Sequence, residues 1–155
     1  RIQQLEDMIS FWPYMALVDA FQHWIYENPE QSSAGTNCEN KWGELWDRFL
    51  PGIDYSGYED AKKTYWHRQM HIFTLPFYYI EYGMAQLGAA QVWANSLNDQ
   101  RMAVSAYKKA LALGSTVSLP KLFEAAGAKF AFDAATLKHS VDLMEKTIAE
   151  LEAKM

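Results

Sequence analysis

The sequence is short of several things, and each shortage removes a class of function. It holds one cysteine, Cys38, so no internal disulfide can form and a secreted, disulfide-stapled scaffold is excluded. A reducing, cytoplasmic setting is the expectation. No apolar run approaches the ~20 residues a membrane helix needs, and the N-terminus lacks the basic, apolar and small-residue segments of a signal peptide. No membrane partner is expected. Lysine and arginine number 14 against 19 acidic residues and are interspersed with them, so no basic face is available for a phosphate backbone and nucleic acid is not an expected partner. Gly83, Gly88 and Gly114 follow no strand and have neither GxGxxG nor Walker spacing, which leaves nucleotide binding without support.

What is present is apolar and aromatic. Half of the 155 residues are apolar and 15% carry aromatic rings, enough to build one domain, 1–155, around a sizeable core. Apolar positions recur at threes and fours through LEDMISFWPYMALVDAFQHWIYEN, with Pro13 expected to kink or restart the helix. Thr36 and Glu39 have the spacing of a capping box for a helix over TNCENKWGELWDRF, which Pro51 and Gly52 stop. YEDAKKTYWHRQMHIF reads as helix until Pro76, and a further helix runs from Phe77 to about Leu97. Asn98 or Asp99 caps the next, Gly114 closes it, Ser118 caps a short SLPKLFEAAG helix, and Asp133 opens the last. No strand pattern occurs. The class expected is all-α, with about six helices. The chain starts RIQQLEDMISFW, without an initiator methionine and already in helical rhythm, which is the look of a fragment of something longer.

The stretch WHRQMHIFTLPFYYIEYG gathers the groups that could do chemistry. His67 and His71 stand four apart, and on one helix both could reach a metal. However, Arg68 occupies the place where a zinc peptidase HExxH helix carries its glutamate, and a cation there opposes both metal and base. The chain is expected to bind no metal. His71 with Tyr78, Tyr79 and Tyr82 offers something else: phenol and imidazole donors near a helix start, suited to an oxyanion, although tyrosines at helical spacing equally serve packing. Trp42 and Trp46 read as core anchors. Cys38, in a helix's first turn where a thiol ionises more readily, has no local histidine to make it a nucleophile.

Several blocks in order carry a resemblance. FWPYMALVDAFQHWIY, CENKWGELWDRFLPGIDYSGYED, WHRQMHIFTLPFYYIEYGMAQLGAAQVW, AYKKALALGSTVSLPKLFEAAGAKFAF and the closing helix together resemble the C-terminal part of the oligoendopeptidase F group of thimet-oligopeptidase-like zinc metallopeptidases. The resemblance implies the helical C-terminal lobe of a zincin-like oligopeptidase that hydrolyses short peptides with one zinc. It implies a zinc centre upstream, in the remainder of the peptidase chain, so no ligand is carried over and the isolated chain is expected to be inactive. It also implies roles: His71 matches the loop histidine, Tyr79 and Tyr82 match the tyrosines facing the scissile carbonyl and the bound peptide, and Tyr78 stands as a wall of the substrate channel with His71. Pro76 and Phe77 replace a glycine-rich, tyrosine-bearing segment of thimet oligopeptidase, and the histidine-to-tyrosine spacing is slightly shorter. The rival expectation is a non-catalytic helical module whose aromatic face binds another chain or a small apolar ligand.

Overall fold

The computed structural model describes residues 1–155, all of whose regular structure is helical. Nine α-helices follow one another: α1 (Ile2–Glu27), α2 (Pro29–Ser32), α3 (Gly35–Phe49), α4 (Glu59–Thr64), α5 (Met70–Thr74), α6 (Ile80–Asn98), α7 (Gln100–Leu113), α8 (Leu119–Ala125) and α9 (Ala134–Glu152). The expected number was about six, and the short α2 and the division of residues 59–74 are the elements that the sequence pattern does not foresee. That stretch is cut into α4, a 3-10 turn over Tyr65–Arg68, and α5, with Gln69 at φ −87° and ψ 86° breaking the path. No helix is long and apolar enough to cross a membrane.

The chain divides into two compact units, residues 10–83 and residues 1–9 with 84–155. In the first, α1 presents Met15, Leu17, Val18, Phe21 and Gln22 inward, and α3 presents Cys38, Trp42, Leu45 and Trp46. Both sets repeat at threes and fours, as one buried helical face requires. Trp66, Ile72 and Tyr79 complete that core. Helix α1 runs through Pro13 as one element, so of the expected kink or restart it is the restart that does not occur. Four indole N–H groups, on Trp12, Trp42, Trp46 and Trp66, are buried without a hydrogen-bond partner.

In the second unit, Asp99 accepts from the Met102 amide at the start of α7, Gly114 ends it at φ 52°, and Asp133 accepts from the Thr136 amide at the start of α9. These are the expected caps. Two others differ: α3 begins at Gly35 after an extended Ala34 with no side-chain cap, so the Thr36 and Glu39 box does not form, and Ser118 holds the N-cap backbone of α8 without a side-chain bond. Gly88 on α6 lies so near Phe123 of α8 that a Cβ would sit 2.7 Å from the ring. Beyond α8, Gln91 pairs with both backbone groups of Lys129, at 3.0 and 2.8 Å, which pins the loop to α6.

Candidate functional site

The site lies within the first unit and begins with a buried amide. Gln22, fully enclosed on α1, accepts the Phe77 backbone N–H at 3.3 Å through Oε1 and donates to the His71 carbonyl at 3.4 Å through Nε2. Phe77 is the one non-glycine residue at positive φ, 59°, a conformation uncommon for a bulky side chain. A glutamine with no water to serve it therefore holds the turn between α5 and α6. The turn delays α6 until Ile80, three residues after the expected start.

That delay sets the directions of the three phenols. Tyr79 turns inward, 8% exposed, with its ring edge-on to Phe11, Tyr14 and His71. Burial, then the neighbouring Tyr82 and Tyr65, raise its pKa, so it stays protonated throughout the working range. Tyr78 and Tyr82 face outward at 40% and 39% exposure, and their rings meet edge-to-face at 5.7 Å. His71 lies between them: stacked parallel to Tyr78 at 6.2 Å, edge-on to Tyr82, with Nε2 3.4 Å from the Tyr82 hydroxyl. Of the residues singled out in the sequence, His71, Tyr78, Tyr79 and Tyr82 form one aromatic cluster, and His67 stands outside it.

His67 belongs to the 3-10 turn and His71 to α5, so the two do not share the helical face on which the metal-pair argument depended. His67 instead packs its exposed ring on Trp66 at 4.3 Å. No three His, Cys, Asp or Glu side chains converge as a metal site would need, and the donors of this chain therefore do not fit a zinc ion. The Cys38 thiol is buried beneath Ser32, donating to its carbonyl at 3.3 Å. Burial, then Glu39, push its pKa up, which reverses the easier ionisation expected of a first-turn cysteine.

Three residues of the site escaped the sequence. Gln69 donates from Nε2 to His71 Nδ1 at 2.9 Å, and Tyr14 donates from its hydroxyl to Gln69 Oε1 at 2.9 Å. Tyr14 is a hub, with Trp42, Trp46, Tyr65 and Tyr79 all edge-to-face around its ring. Burial, then Tyr79 and Tyr65, hold its pKa far above that of a free phenol. Gln22 had one signal: a lone amide on an otherwise apolar helical face. Gln69 and Tyr14 had none, because their partners lie two and 55 positions away with no periodicity to link them.

The profile of peptidase family M3 matches residues 1–142. Among solved structures, one described as an oligoendopeptidase F is similar over 96% of this chain, with 32% identity and a TM-score of 0.86. A PZ peptidase A with an inhibitor is similar over the same share, with 29% identity and a TM-score of 0.86. The chain spans 26% of the length of each. Comparison with curated proteins gave no match.

Proposed function

The chain belongs to peptidase family M3, and from that premise we propose that residues 1–155 are a helical C-terminal portion of an oligoendopeptidase catalytic domain, a lobe that binds short peptides and stabilises the oxyanion of their hydrolysis. The observation that carries this reading is the pairing of two outward-facing polar groups, His71 Nε2 and the Tyr82 hydroxyl, 3.4 Å apart above a buried floor of Tyr79 and Gln22. Addition of a nucleophile to a peptide carbonyl turns a neutral oxygen into an anion. A fixed phenol or imidazole donor stabilises that anion more than the planar carbonyl, so its contribution appears in the transition state.

The roles divide by exposure and reach. Tyr82 is the principal donor to the oxyanion, and His71 orients it and binds the peptide. Tyr78 forms a wall for the bound chain, parallel to the His71 ring. Tyr79, with its ring buried, acts by fixing His71 and Tyr82 in position. The zinc of the family and the base that activates water are supplied by the remainder of the peptidase, because no ligand set exists among these residues. A soluble, cytoplasmic peptidase is the setting that this reading implies. The test is Tyr82→Phe in the complete enzyme, which keeps the ring and removes one donor. A fall in kcat of about 10²–10³ with KM little changed is expected; kcat within about twofold of the parent removes Tyr82 from the reaction.

A further inference from the structure

The groups behind His71 decide which of its ring nitrogens carries the proton. Gln69 bridges Tyr14 and His71, with Oε1 2.9 Å from the phenol and Nε2 2.9 Å from Nδ1. The direction of the amide follows from a count of donors. The Tyr14 hydroxyl makes no other hydrogen bond in the chain. Were the amide reversed, its NH₂ would donate to the phenol oxygen and strand the Tyr14 proton in a half-buried position, at the expense of an unsatisfied donor. The raised pKa of Tyr14 keeps that proton in place. Oε1 therefore faces Tyr14, and the amide N–H faces His71.

An amide N–H can only donate, so Nδ1 must offer its lone pair, and a neutral imidazole then carries its hydrogen on Nε2. Nε2 is the atom facing the Tyr82 hydroxyl. With hydrogen there, His71 donates to the Tyr82 oxygen, and the Tyr82 proton remains free for an acceptor outside the chain. In the opposite tautomer Tyr82 would donate inward to Nε2, and its proton would be consumed within the pair. We propose that Tyr14 and Gln69 are positioning residues that hold neutral His71 with its hydrogen on Nε2, so that a one-way series of donors, Tyr14 to Gln69 to His71 to Tyr82, ends in an outward-pointing phenol proton for an anionic or carbonyl oxygen. Each bond in such a series polarises the next and strengthens the terminal donor. The consequence for catalysis rests on the oxyanion reading above, whereas the tautomer stands on the hydrogen-bond geometry of Tyr14, Gln69 and His71.

The experiment is histidine-selective ¹⁵N labelling of the full protein, with the His71 resonances assigned by their loss in His71→Gln. The spectra are recorded at a pH above which the His71 ring signals no longer change, and long-range ¹H–¹⁵N correlation separates a protonated ring nitrogen from a bare one. The expected result is a protonated Nε2 and a bare Nδ1. Gln69→Glu replaces the donor at Nδ1 with an acceptor and should reverse the tautomer. Tyr14→Phe, which keeps the ring, should leave a mixture. A hydrogen on Nδ1 in the parent, or an unchanged tautomer in Gln69→Glu, overturns the proposal. The parent measurement needs no variant to fold, and none of these spectra depends on the kcat of Tyr82→Phe, so failure of the oxyanion reading would be seen separately.

Discussion

Gln22 and Phe77 stand 55 positions apart, and the carboxamide oxygen of the first accepts the backbone N–H of the second at 3.3 Å. The contact ties the C-terminal part of α1 to the turn that starts α6, and it does so from a side chain with no solvent exposure. Gln22→Met keeps the volume and removes the amide. It should destabilise the protein by about 1–3 kcal/mol, the cost of a part-buried backbone donor and the His71 carbonyl losing their partner, and hydrogen exchange at the Phe77 amide should accelerate. Unfolding in denaturant measures the first and exchange the second; an unchanged midpoint would remove Gln22 from the support of the turn.

Trp42 sits at 0% exposure between Phe21, Tyr14 and Trp46. Trp42→Ala should cost about 3–5 kcal/mol, since a ring of that size leaves a cavity its rigid aromatic neighbours cannot fill. Trp42→Phe should cost clearly less, because the indole N–H it deletes has no partner to lose. Equal losses in the two variants, measured by denaturant unfolding, would contradict this.

Purified chain dialysed against zinc should hold no stoichiometric metal. His67 and His71 lie on different elements with Arg68 between them, and no carboxylate or thiol joins them, whereas zinc requires three or four converging ligands. Elemental analysis decides: one zinc per chain, lost on His67→Ala with His71→Ala, would reverse the conclusion.

Asp133 should make the stability of α9 depend on acid. The Thr136 backbone hydrogen bond first, then its hydroxyl and Lys129, lower the Asp133 pKa. A carboxyl whose folded pKa is below its unfolded one adds stability above the ordinary aspartate range and loses it as pH falls through the folded value. The melting temperature of the parent should therefore exceed that of Asp133→Ala at neutral pH, and the gap should begin to narrow near about pH 4, where the unfolded carboxyl starts to protonate, and go on narrowing as the pH falls through the folded value. A gap that persists undiminished into strong acid would show that charge has no part in the cap.

The helical class and the caps at Asp99, Gly114 and Asp133 were legible because each depends on a few consecutive residues and one backbone preference. The segment from Glu59 to Thr74 was not. Its composition suits a helix throughout, and only the three-dimensional demand that Trp66 and Ile72 enter one core while Gln69 meets Tyr14 breaks it. The site was half legible for the same reason. His71 and the phenols are neighbours in sequence, but which phenol turns inward depends on where α6 starts, and that is set by Gln22, 55 positions away on α1. Tyr79 rather than Tyr78 becomes the buried ring as a result.

The four unpartnered indoles give residues 10–83 an optical property. Indole emission shifts to longer wavelength when its N–H meets water, and Trp12, Trp42, Trp46 and Trp66 are all screened from it. These four should fluoresce at the blue end of the tryptophan range, beside the half-buried Trp24 of the same unit, and opening of the core should move their emission to the red without any added dye. Trp42 and Trp46, with ring centres 6.2 Å apart, are also close enough to exchange excitation. The part of the depolarisation that comes from this pair should therefore be lost when α3 unwinds, and it is the part that Trp42→Phe removes.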